Sequence, residues 1–123
     1  MNEVLLFVAA GLTGLWGLAH LSATKGAVAG FGDISVDNRR IITMEWIAEG
    51  VALLSTAAVV AVAGAIDFTA RVASAVFGVA IATLVVLALV SLFTGFRVRF
   101  LPYRLRPFIF TLSAVLIALG AWL

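Results

Sequence analysis

Long apolar stretches alternate with short polar ones along the chain: Val4 to Leu21, Ile41 to Ile66, Val72 to Phe96 and Phe108 to Leu123. An α-helix needs about 20 apolar residues to cross a hydrocarbon layer of about 30 Å, and these runs approach or exceed that length. The last run is the shortest, so it must stand with little tilt or end among the headgroups. Asp67 to Arg71 forms the polar break between the second and third runs, and the third carries no charged side chain. Pro107 lies just before the fourth run and suits a first helical turn, where no backbone donor is missed. The first run follows Asn2 and Glu3 rather than a positive segment and exceeds a typical signal-peptide core, so it reads as a retained helix. The pattern predicts an all-α polytopic membrane protein, a compact bundle of four transmembrane helices (about 4–21, 41–66, 72–96 and 108–123) in a single domain over 1–123.

Composition strengthens that reading. The 123 residues are 64% hydrophobic and 11% charged, with mean hydropathy +1.23, against about 45–50% and about 25% in soluble domains. The absence of cysteine removes disulfides, thiolate metal sites and thiol nucleophiles. A pI near 9.9 rests on a net charge of +2, and the arginines flank apolar runs, so topology accounts for them and no nucleic-acid partner is expected.

The basic residues sort by loop. Residues 22–40 carry Lys25, Arg39 and Arg40, residues 97–106 carry Arg97, Arg99, Arg104 and Arg106, and only Arg71 falls on the opposite side. The positive-inside rule predicts these two loops in the cytoplasm and both termini on the non-cytoplasmic side. Trp46 and Tyr103 then fall near the inner interface and Trp122 near the outer one. Small residues recur at every fourth position in Ala57, Ala61 and Ala65 and in Ser74, Gly78 and Ala82, while Gly11, Gly14 and Gly17 slim the first helix. That spacing lets helices approach closely, which predicts tight packing and a homodimer or larger membrane complex as partner.

Candidate chemistry concentrates in residues 16–49. Asn38, Glu45, Glu49 and Thr56 share one stripe of the second helix, since steps of seven and four return to nearly the same face. Glu49 lies nine residues past Arg40, about 13 Å at ~1.5 Å per residue, and so falls inside the hydrocarbon. A carboxylate there costs up to about 3 kcal/mol and normally faces the bundle interior with a partner. On the first helix Thr13, Gly17 and His20 share a face beside Trp16, and His20 reaches the depth of Glu45. Arg97 and Arg99 are candidate partners for Glu45. Three readings stay open: His20, Glu45 and Glu49 neutralise one another and fix the bundle's register, they perform proton transfer or acid–base chemistry, or they hold a hard or borderline cation. No cofactor is expected.

Residues 22–40 are too polar to span and too apolar around Val28 to Phe31 to float free, so they predict a short interfacial or re-entrant segment, a lid over His20 and Glu45. Asp37 or Asn38 is the expected cap of the second helix. Gly30 to Gly32 lacks the lysine and the context of a phosphate loop.

Residues 16–50, Trp-Gly-Leu-Ala-His followed by Gly-Phe-Gly-Asp-Ile-Ser-Val-Asp-Asn-Arg-Arg-Ile-Ile-Thr-Met-Glu-Trp-Ile-Ala-Glu-Gly, resemble a group of small uncharacterised bacterial four-helix membrane proteins, loosely similar to DoxX-like ones. The resemblance implies a four-helix membrane fold in a bacterial inner membrane and brings no catalytic residue with it. Small multidrug-resistance transporters carry an essential acid in the first helix, which here has none beyond Glu3, and the glycine signatures of fluoride channels are missing. The expected function is a binding or accessory module with a polar pocket at its cytoplasmic half, lined by His20, Glu45 and Glu49 with Trp16, Asn38, Trp46, Arg97 and Arg99 around them. The alternatives are a dimeric proton-coupled transporter or channel, and a small enzyme acting on a lipid with Trp16 and Trp46 facing a carbocation.

Overall fold

The computed structural model describes all 123 residues, and they are helical with no strand. The elements are α1 (Glu3–Ser22), the short α2 (Thr24–Ala29), α3 (Val36–Asp67), α4 (Arg71–Phe93), a 3₁₀ turn (Gly95–Arg97) and α5 (Leu101–Trp122). α1, α3, α4 and α5 are each long and apolar enough to cross a membrane. Their order in space is α3, α1, α5, α4, with α1 packed between α3 and α5. α3 and α4 share the thinnest interface of any two long neighbours although the chain joins them directly.

The chain direction puts both termini and the 68–70 connection at one end of the bundle, and residues 22–36 and 94–101 at the other. At the terminal end the Asn2 N–H donates to Gly120 O at 2.7 Å. A Cβ on Gly120 would lie 2.9 Å from Asn2 O and 3.0 Å from Leu6 Cγ, so only glycine lets α1 and α5 come this close. Seven-residue steps along both helices then bring Thr13 level with Ser113, and His20 level with Arg106. Leu6, Leu53, Phe77, Leu84, Phe110 and Ile117 fill the core between these faces.

Several helix ends differ from the sequence expectation. α3 begins at Val36 because the Ser35 hydroxyl accepts from Asn38 N–H at 3.1 Å, so Ser35 is the cap and neither Asp37 nor Asn38 is. α4 stops at Phe93, short of 96, and the chain tightens into the 3₁₀ turn. α5 starts at Leu101 rather than 108: Pro102 occupies the first turn, and Pro107 lies inside the helix, buried. Arg104 and Arg106, expected in a loop, are therefore helical. The first connection forms α2, anchored by buried Val28. In the row Ser74, Gly78 and Ala82 the last two leave room unfilled: a Cβ on Gly78 would meet nothing within 4 Å, and Ala82 is exposed, while Ser74 is half-buried.

Candidate functional site

Helix α1 delivers His20 in its last turn, and α3 delivers Trp46 and Glu49 one turn apart. The imidazole lies flat on the Trp46 indole, with ring centroids 4.0 Å apart and planes 9° from parallel. Two crossed hydrogen bonds lock this stack. His20 Nε2 donates to Trp46 O at 2.9 Å, and Trp46 Nε1 donates to His20 O at 2.7 Å. A carbonyl can only accept, so Nε2 carries the hydrogen of this bond.

The close approach behind the stack depends on glycine. A Cβ at Gly50 would run into the Leu21 side chain, and one at Gly17 would meet Leu53 Cβ at 3.1 Å. Backbones brought that near make the α1–α3 pair a firm platform for the polar groups.

Glu49 turns toward α1 and α5. Its Oε2 is 3.5 Å from His20 Nε2, and its Oε1 is paired with Arg106 Nη2. Side-chain exposure falls from 25% at Glu49 to 15% at Arg106 and 4% at His20, so the cluster is largely removed from solvent. The guanidinium of Arg106 lies 5.8 Å from the Phe110 ring centroid, and its Nε is buried without an acceptor. Each charge is costly to bury alone, and each neutralises the other.

Beside this cluster a cavity of about 990 Å³ opens between the end of α1, α2, and the segment leading into α5. His20, Trp46, Tyr103 and Arg106 form its polar and aromatic side, while Phe31 and Phe100 belong to its apolar wall. Tyr103 stands edge-on to Trp46, with centroids 6.0 Å apart. Glu49 does not line the cavity and sits behind Arg106.

Among the residues expected at a site, the structure brings His20, Glu49, Trp46 and Trp16 to one place. It leaves the others outside. Glu45 is exposed and makes no ion pair, and neither it nor Asn38, Arg97 or Arg99 reaches the cavity wall. The physical reason is helical phase: Glu49 and Trp46 face α1, which turns Glu45 outward. Arg97 and Arg99 lie past the end of α4, in a segment where Val98 and Phe100 line the cavity and the two arginines do not. The expected lid is present in part, since Gly26, Ala27, Gly30 and Phe31 wall the cavity beside His20 but not beside Glu45. No group of three or more His, Cys, Asp or Glu side chains is gathered as a metal site. Arg106 was the residue missed. Its signal was the inward stripe Phe110, Ser113, Ile117 and Gly120, which extends back by one helical step to position 106.

The chain matches no family model, no curated protein and no solved structure.

Proposed function

We propose that this is an integral membrane binding protein whose cavity takes an amphiphile, a molecule with an apolar body and a small polar head. The observation that carries the reading is the cavity of about 990 Å³, walled mainly by apolar and aromatic side chains with His20, Tyr103 and Arg106 among its lining residues. A site with that division of labour buries an apolar body by area and orients a head by a few polar groups.

The same reading places four spans in a bacterial inner membrane, with both termini on the non-cytoplasmic side. Supporting this are the apolar lengths of the four helices and the gathering of Lys25, Arg39, Arg40, Arg97, Arg99, Arg104 and Arg106 at one end. The likeness of residues 16–50 to small uncharacterised bacterial four-helix membrane proteins points the same way. The cavity then opens at the cytoplasmic headgroup level, where an amphiphile can enter from the leaflet. The unused small-residue face of α4 favours assembly with a second copy or another membrane protein.

Binding is tested with the tryptophans. A fatty alcohol carrying a bromine or nitroxide quencher on its chain, added to the purified protein in micelles, should quench Trp16 and Trp46 saturably and leave Trp122, at the far end, unsaturated. Gly26→Phe is the obstructing variant: Gly26 lines the cavity and a Cβ there meets nothing within 4 Å, so an added side chain has room to enter and should weaken binding. Linear, non-saturable quenching that is the same in Gly26→Phe would overturn the reading. Topology is tested by single cysteines, since the chain has none. A membrane-impermeant maleimide should label Phe68→Cys from outside the cell and Lys25→Cys only after permeabilisation.

A further inference from the structure

A second recess, of about 530 Å³, opens at the same end of the bundle between the end of α1, α2 and the start of α3. The short α2 divides it from the larger cavity: Ala23, Ala27 and Gly30 turn to the cavity, and Lys25, Val28 and Ala29 to the recess. Lys25 and Arg39 both line the recess, and no carboxylate does. Neither cation has a counter-ion: Asp37 lies 3.9 Å from Arg40, Asp33 forms no ion pair, and the other pairs belong to Glu49. Arg39 is nonetheless held in place. Gly32 adopts φ +73°, in the left-handed region that favours glycine, and its carbonyl accepts from Arg39 Nη2 at 3.2 Å. The hydroxyls in the wall each donate to a backbone carbonyl of the preceding turn, so the donors left to the recess are Lys25 and the rest of the guanidinium. Two unpaired cations on one recess favour an anion there.

The surroundings say what carries that anion. α3 has 32 residues, about 48 Å at ~1.5 Å per residue, against a hydrocarbon layer of about 30 Å, so its first turns reach headgroup level. From Arg39 and Thr43 the ridge of every fourth residue continues to Ile47 and Val51, both apolar and exposed. The charged recess thus runs on into an apolar track, which suits an anionic head with acyl chains below it and offers a free phosphate nothing beyond the head. We infer that the recess binds an anionic phospholipid of the surrounding leaflet, its phosphate at Lys25 and Arg39 and an acyl chain along Ile47 and Val51. This rests on the membrane placement above and is independent of the molecule in the larger cavity. Because α2 separates the two sites, the lipid braces the cavity wall from behind.

Native mass spectrometry of the full chain in detergent, with phosphatidylglycerol and phosphatidylcholine of one acyl length in equal amounts, tests this. Phosphatidylglycerol should be retained about tenfold more than phosphatidylcholine. Lys25→Gln with Arg39→Gln should abolish the preference, and Lys25→Gln alone should lose part of it. Arg97→Gln with Arg99→Gln removes the same charge at the same end of the bundle, outside both walls, and should keep it. An unchanged near-UV circular dichroism signal from Trp46 shows that each variant is folded. Glycerol phosphate at millimolar concentration, a head without chains, should not displace the lipid. Equal retention of the two lipids, equal loss in the two double variants, or displacement by glycerol phosphate would overturn the inference. Labelling of Lys25→Cys without permeabilisation would instead overturn the membrane placement on which the choice of leaflet rests.

Discussion

Between α1 and α3, Gly17 and Gly50 sit against the opposite helix, while on α4 Gly78 faces open space with Ala82 exposed beside it. Both regions carry small residues at helical spacing, and in lipid that spacing permits close approach without choosing a partner. What distinguishes the first region is directional bonding. The two His20–Trp46 hydrogen bonds, the ring stack and the Glu49 contacts fix α1 and α3 in a single register, whereas no hydrogen bond or ion pair between side chains joins α3 to α4. Small residues make room, and polar groups decide which helix occupies it.

This contrast can be broken most severely at its charges. Glu49→Ala leaves Arg106 buried without its counter-ion and should cost about 3 kcal/mol, read as a lowered midpoint in denaturing-micelle titrations. The steric half comes next. Gly50→Val drives side-chain atoms into Leu21 and should cost about 2 kcal/mol, with loss of the Trp46 environment seen by near-UV circular dichroism. At Thr13, Oγ1 is buried and unbonded, so Thr13→Val keeps the shape, removes an unsatisfied hydroxyl and should raise stability by about 1 kcal/mol. On the other side of the comparison, Gly78→Ala should raise the stability of the isolated protein by about 0.5–1 kcal/mol through helix propensity alone, and Glu45→Gln should shift it by less than about 0.5 kcal/mol. A large loss at Gly78 would mean that its face is covered by a second copy in the micelle, which cross-linking at that position would reveal.

The four long helices are legible in the sequence because lipid-compatible length and the scarcity of charge leave few alternatives. Their ends are less so. Arg104 and Arg106 read as loop residues by charge, yet an arginine with a buried carboxylate opposite can be helical and inward facing, and the pattern of one helix does not show what stands opposite. Glu45 and Glu49 look equivalent on their stripe, and the packing phase of α3 separates them. Glu49 is identifiable as the costly residue from its depth alone, whereas its cation depends on how α5 lies against α1, set by the Asn2–Gly120 contact at the far end. The cavity is assembled from α1, α2, α3 and α5 together, and no single stretch of sequence contains it.

The spatial order α3, α1, α5, α4 also has a meaning in time. A chain emerging from the ribosome makes α1 and α3 first, and their glycine contacts and crossed hydrogen bonds allow that hairpin to form early. At that stage Glu49 has His20 nearby but no permanent cation. α4 arrives with little hold on α3. Only when α5 slots between α4 and α1 does Arg106 meet Glu49, and the same step closes the far wall of the cavity. Insertion of the last helix is thus the event that commits the protein to its folded form. A released chain ending just before residue 101 should have its first two long helices already paired while α4 remains free to exchange partners.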